Sequence, residues 1–182
     1  MSAPRILVIP GSLRSGSHNA RLAALAAKEL SLLDAEVTRI SLEDYELPLF
    51  DADLAAGAPP AAAVKLKQMI TAHRGVFITS PEYSASVTPL LKNAIDWVSR
   101  VRERGEPTYA AFKGRIFALG SATSGGGGGI RSMMALRQIL ELGSVPRAEL
   151  AFDEMDNLKD ETLANVLKSS MRRLVELAGL MN

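Results

Sequence analysis

A strand-length apolar run followed by a helix-patterned stretch recurs five times along this chain, and that alternation constrains its fold more than any other feature. Residues 5–10 (Arg-Ile-Leu-Val-Ile-Pro) form a continuous, β-branched run stopped by Pro10-Gly11, the pattern of a parallel strand buried on both faces. A helix is predicted from Ser17, placed as its N-cap, to about Leu33, with Leu22, Leu25, Ala26 and Leu30 on one face. Residues 35–42 alternate as a second strand nearer an edge would. A helix over 61–72 leads into a buried strand at Gly75–Ser80, which stops at Pro81. Another helix, with proline in its first turn, is predicted over 89–102. The fourth strand falls at 115–120, a helix at 130–142, the fifth strand near 145–152 and a last helix over 160–180. No repeat or linker divides the 182 residues, so a single domain over 1–182 is expected. Strands alternating with helices imply a parallel sheet covered on both faces, and the length suits the five-stranded doubly wound order 2-1-3-4-5.

In that order the loops after strands 1, 3 and 4 emerge together at the carboxyl edge, where open α/β sheets bind ligands. Those loops are Gly11–Asn19, Pro81–Val87 and Ser121–Gly129. The first runs from a buried strand into a helix N-terminus, an anion-holding arrangement. It is not a P-loop, because no Gly-Lys-Ser/Thr follows, and it is not Gly-x-Gly-x-x-Gly. Ser12, Arg14, Ser17 and Asn19 offer neutral donors and one guanidinium, which suits a phosphate monoester held without a metal. Taken singly, Ser17 would be only a helix cap and Arg14 a solvated side chain; four such groups in one loop favour a ligand. In the second loop Tyr83 is an aromatic that can stack on a ring, or a half-exposed turn residue. In the third, Gly125–Gly129 permits close backbone approach to a flat group, or forms a floppy surface loop.

Composition removes other chemistries. With no cysteine there is no thiolate nucleophile, disulfide or iron–sulfur ligand, and His18 and His73 alone provide imidazole, so no metal site is expected. A net charge of +1 does not advertise nucleic acid or a membrane surface. No apolar run reaches the roughly 18 residues of a membrane span and no signal core is visible, so a cytoplasmic protein is expected.

Three blocks resemble the NADPH-dependent FMN reductase family. Gly11, Ser12, Arg14, Ser17 and Asn19 resemble its Gly-Ser-x-Arg-x-x-Ser-x-Asn signature. Pro81-Glu82-Tyr83-Ser84-Ala85-Ser86, running on to Leu91-Lys92-Asn93-Ala94-Ile95-Asp96-Trp97, is similar to its Pro-Glu-Tyr-Asn…Leu-Lys-Asn-Ala-x-Asp-Trp block. Ser121–Gly129 with Arg131 and Leu136-Arg137 resembles its Gly-Gly-x-Arg…Leu-Arg segment. The resemblance implies a flavodoxin-like fold, bound FMN, and reduction of quinones, azo dyes, chromate or free flavin by NADPH or NADH. Carried over by position, Ser12, Arg14, Ser17 and Asn19, with His18 beside them, would hold the FMN phosphate. Pro81, Glu82, Tyr83 and Ser84, with Ser86, would line the isoalloxazine, and Ser121 with Gly125, Gly126, Gly127 and Gly128 its other polar edge. Two positions depart from the family's pattern. Ser84 stands for asparagine, which is expected to alter a contact to the ring, and Thr88-Pro89 stands for Pro-Gly.

Hydride transfer on a flavin needs no protein acid or nucleophile, so no catalytic side chain is expected and ping-pong chemistry is. A flavin-binding electron carrier or sensor without nicotinamide reactivity is the alternative, since one fold serves both. Carriers of that type tend to be strongly acidic, which the +1 charge is not. On the 89–102 helix Leu91, Ala94, Ile95 and Val98 form one stripe and Leu90, Trp97 and Val101 an adjoining one. This predicts a homodimer contact there, with pairing into a homotetramer left open; the other reading is that Trp97 packs on its own sheet. Lys92 and Asp96 are expected to be solvated or paired. The segment 45–60, with Leu47, Leu49, Phe50 and Leu54 among its prolines, is predicted to be a loop that packs on its own sheet or on a partner subunit.

Overall fold

The computed structural model describes residues 3–107, 109–140, 161, 162 and 165. The chain divides into two compact units, Met1–Leu140 and Glu141–Asn182. In the second, the three described residues are helical, within the helix expected over 160–180. The strand expected over 145–152 lies outside the described residues.

The first unit holds β1 (Arg5–Pro10), α1 (His18–Leu32), β2 (Glu36–Arg39), a 3-10 turn at Leu42–Asp44, and α2 (Ala52–Ala55). There follow α3 (Ala61–Thr71), β3 (Gly75–Thr79), α4 (Pro89–Arg100), β4 (Ile116–Gly120) and α5 (Ile130–Leu140). The strands form a parallel sheet in the order β2-β1-β3-β4, with Val8 opposite Phe77 and Phe77 opposite Ala118. β1 and β3 are therefore central, and the chain reverses its direction of winding between them.

Alternation along the strands sorts the core. Leu7, Ile9, Val76 and Ile78 turn to one face, where they are buried with Leu66 and Ile70 of α3, Leu91, Ile95 and Val98 of α4, and Leu136 of α5. α1 packs along β1, β2 and β3. Burying each such Leu, Ile or Val contributes about 1.5–3 kcal/mol, before chain entropy is set against it. β2 is shorter than the alternation suggests because Ser41 Oγ accepts from Glu43 N–H and starts the 3-10 turn at Leu42.

The segment after β2 is not wholly a loop. Asp51 caps the single turn of α2, its Oδ1 accepting from Asp53 N–H at 2.7 Å. The segment packs on α4: Trp97 Nε1–H donates to the Pro48 carbonyl at 2.7 Å, and Phe50 meets the Trp97 ring edge-on at 5.2 Å. Asn93 accepts from Phe50 N–H at 2.7 Å and donates to Pro48 O at 3.0 Å. Trp97 and Val101 are 1% and 7% exposed, so most of the second apolar stripe of α4 is covered by its own chain, with Leu90 half-buried. That removes the reason for expecting a subunit contact from that stripe. Lys92 and Asp96 form an i,i+4 ion pair at 2.7 Å.

Candidate functional site

Three loops meet at the carboxyl ends of β1, β3 and β4 and enclose a cleft of about 380 Å³. The first is laid tightly across the sheet. Gly11 N–H donates to Thr79 O at 2.6 Å, and Thr88 Oγ donates to Gly11 O at 3.0 Å while accepting from Leu91 N–H as the N-cap of α4. A Cβ on Gly11 would run into the Leu91 side chain and stand 2.7 Å from Thr79 O, so only glycine lets the loop lie there. At the loop's far end Ser17 is the N-cap of α1, its Oγ accepting from Asn19 and Ala20 N–H at 3.2 and 3.3 Å. The first turn of α1 carries no acidic residue to offset the positive end of its dipole.

Ser12, Arg14, Ser17, His18 and Asn19 line the cleft on this side. Arg14 is exposed and its guanidinium makes one long bond, 3.4 Å, to Gly16 O. Asn19 differs from the others. It is 2% exposed, and its side-chain amide is bonded twice to one residue of the third loop, Nδ2 donating to Ala122 O at 2.8 Å and Oδ1 accepting from Ala122 N–H at 3.0 Å. Its own carbonyl accepts from Thr79 Oγ at 2.9 Å.

From the second loop, Pro81, Glu82 and Tyr83 line the cleft. A set of hydroxyls, those of Ser80 and Ser132 buried, fixes their start: Ser121 Oγ donates to Ser80 O, Ser80 Oγ to Pro81 O, and Ser132 Oγ lies 2.8 Å from Ser80 Oγ. Glu82 is tied to the start of α5, accepting from Arg131 N–H at 3.1 Å and from the Arg131 guanidinium at 2.7–2.8 Å. Desolvation raises the pKa of this carboxyl, but the Arg131 side-chain bond and charge and the backbone N–H groups of Ser132 and Arg131 outweigh it and hold the value below the ordinary carboxylate range. Glu82 therefore stands at the cleft as a paired anion and does not oppose a bound phosphate with a free charge. Tyr83 is 48% exposed, a ring available to a ligand.

Ser84 and Ser86 do not line the cleft. Tyr83 and Ser86 exchange two backbone hydrogen bonds, 3.1 and 2.9 Å, across a two-residue turn in which Ser84 and Ala85 have φ of 48° and 61°. A turn with both central residues in the left-handed region is best served by Asn-Gly. The departure at position 84 from the family's asparagine thus falls on turn chemistry.

The third loop also differs from expectation. Ala122, Thr123 and Ser124 line the cleft, whereas Ser121 and Gly125–Gly128 do not. A Cβ on Gly125, Gly126, Gly127 or Gly128 would meet no other protein atom within 4 Å. Gly128 and Gly129 have φ of 60° and 77°, and a Cβ on Gly129 would also collide with Ser121 Oγ. His73 is buried, with Nδ1 2.6 Å from Met69 O, and does not line the cleft.

An open parallel sheet with a donor-lined cleft at its switch point defines an α/β protein of the kind that binds ligands beyond the carboxyl ends of its central strands. The chain belongs to the NADPH-dependent FMN reductase family, whose profile matches residues 4–155. It is 32% identical to an NAD(P)H-dependent FMN reductase of Pseudomonas aeruginosa, over 93% of this chain and 92% of that one. It is 36% identical to a quinone reductase of Escherichia coli K12, over 75% of this chain and 69% of that one. Among solved structures it is similar to FerB, a flavoenzyme NAD(P)H:(acceptor) oxidoreductase from Paracoccus denitrificans, with a TM-score of 0.63 and 28% identity over 96% of both chains. Among the described residues no helix is long and apolar enough to cross a membrane.

Proposed function

We propose that this protein is an FMN-dependent NAD(P)H oxidoreductase that passes reducing equivalents from a nicotinamide to a quinone-, azo-, chromate- or flavin-type acceptor. The observation that carries this reading is the donor set at one end of the cleft. Ser12, the exposed guanidinium of Arg14, and Ser17 stand at the N-terminus of α1, so a phosphate there meets a charge, hydroxyls and a helix dipole. Their chemistry fits the phosphate of FMN. Tyr83 and the Pro81–Glu82 backbone on one side, with Ala122, Thr123 and Ser124 on the other, form the walls for its ring. When bound, FMN supplies the redox centre that accepts hydride from the nicotinamide and reduces the acceptor. The chain's own groups bind and orient; none is needed as an acid, base or nucleophile.

Purified protein should be yellow or take up FMN, and anaerobic NADPH or NADH should bleach the flavin absorbance. A flavin-loaded protein that does not bleach with either nucleotide would refute the oxidoreductase reading.

Two finer statements belong to the same proposal. The described order β2-β1-β3-β4 is the first four members of 2-1-3-4-5, and we take the complete sheet to be that flavodoxin-like one. We also take the protein to be a homodimer. Support comes from Leu49 and Leu54, which are 83% and 56% exposed on the segment covering α4, apolar surface of the kind subunits bury. Sedimentation showing only monomer at micromolar concentration would remove that statement.

A further inference from the structure

The family pattern makes Asn19 a phosphate ligand, but its geometry points elsewhere. We propose that Asn19 is a positioning residue that acts on the flavin through Ala122, by clamping the third loop to the N-terminus of α1. The inference rests on the reading that this cleft holds FMN.

Asn19 is buried, and both ends of its amide are engaged by the backbone of the same residue: Nδ2 donates to Ala122 O at 2.8 Å, and Oδ1 accepts from Ala122 N–H at 3.0 Å. A planar amide bonded to both groups of one residue fixes that residue's distance and its orientation. Ala122 needs such a partner because β4 ends at Gly120, which leaves the loop beyond it without a strand neighbour for these groups. Asn19 is itself held in place, its N–H capped by Ser17 Oγ and its carbonyl bonded by Thr79 Oγ. The clamp thus runs from the central strand, through the first turn of α1, to the wall formed by Ala122, Thr123 and Ser124. Arg14, by contrast, is exposed and has a guanidinium almost entirely free for an anion.

The two roles differ in which part of the flavin notices the loss. A phosphate ligand matters to FMN and not to riboflavin, which has no phosphate; a residue that holds a ring wall matters to both equally. Wild type, Asn19→Ala and Arg14→Ala are therefore titrated with FMN and with riboflavin by flavin fluorescence. Hydrogen exchange is followed in parallel over 121–129 and over β1. Asn19→Ala is expected to weaken both flavins by the same factor, about tenfold, the effect of losing buried hydrogen bonds. Ala122 N–H should exchange faster while β1 keeps its protection, which separates a loosened loop from an unfolded chain. Arg14→Ala should weaken FMN by about tenfold and leave riboflavin unchanged. Should Asn19→Ala fail to fold, Asn19→Leu fills a similar volume without polar atoms and is read in the same way. Loss confined to FMN, or no loss for either flavin, would overturn the proposal while leaving the cleft's assignment intact. A wild-type protein that takes up neither flavin would overturn both.

Discussion

Gly11 shows how much of this cleft depends on an atom that is missing. The first loop can donate to Thr79 O and accept from Thr88 Oγ only because no Cβ stands between it and Leu91. Gly11→Ala inserts a methyl into a packed contact and should destabilise the protein by about 1–3 kcal/mol, visible as a lower urea midpoint. Gly126 is the opposite case: it is exposed, with open space where a Cβ would go. Gly126→Ala should leave the midpoint unchanged or raise it by up to roughly 1 kcal/mol, because the unfolded chain loses freedom. If the two substitutions behaved alike, the loop would not be seated as described. Glycine is legible in a sequence as a letter, but which glycine is under steric constraint is a property of distant neighbours, Thr79 and Leu91 in the case of Gly11.

At the scale of elements, two connections decide the local geometry. The turn at Ser84-Ala85 holds two non-glycine residues at positive φ, strain of about 1–2 kcal/mol for each. Ala85→Gly should therefore raise the melting temperature, and Ser84→Asn should do so more weakly; no change in either would show that the turn is unstrained in solution. The segment 45–60 is held to α4 by Asn93 and Trp97 through the Pro48 carbonyl and Phe50 N–H. Asn93→Ala should cost about 1–3 kcal/mol, since Phe50 N–H loses its partner, and limited proteolysis should then cut within 45–60. Apolar residues in that segment already implied packing. That the surface it covers is the Trp97 side of its own α4 followed only from the position of α4 beside it.

For the whole molecule, two carboxylates link separate parts of the chain. Glu82 joins the second loop to α5, and Glu106 accepts from Glu103 N–H and pairs with the buried Lys67 of α3. The Glu103 N–H, then the Lys67 bond, against some desolvation and with the Lys67 charge, hold the Glu106 pKa down, as Arg131 and its neighbours do for Glu82. Both folded values lie below the ordinary 4.5, so the unfolded chain takes up these protons first. Their stabilisation is present above about pH 4.5 and is lost as pH falls through the folded values. Unfolding free energy should drop on acidification below that point, and Glu82→Gln with Glu106→Gln should flatten the drop. An equally steep acid limb in the double variant would show that other groups carry it.

Strand and helix periods, the Pro-Gly stops and the loop chemistry are local, so the alternation of elements and the meeting of three loops at one sheet edge could be read from the chain alone. The donor set at Ser12, Arg14 and Ser17 was legible for the same reason, because a strand, a loop and a helix N-terminus lie within 15 residues. What crosses between loops was settled by the packing of the folded chain. It turned Asn19 toward Ala122, 103 positions away, and Glu82 toward Arg131, 49 away, and it placed Thr123 in the wall in preference to the glycines. Such pairings depend on which backbone groups a strand end leaves unpaired and which side chain can reach them, and no period or motif in one stretch of chain records that.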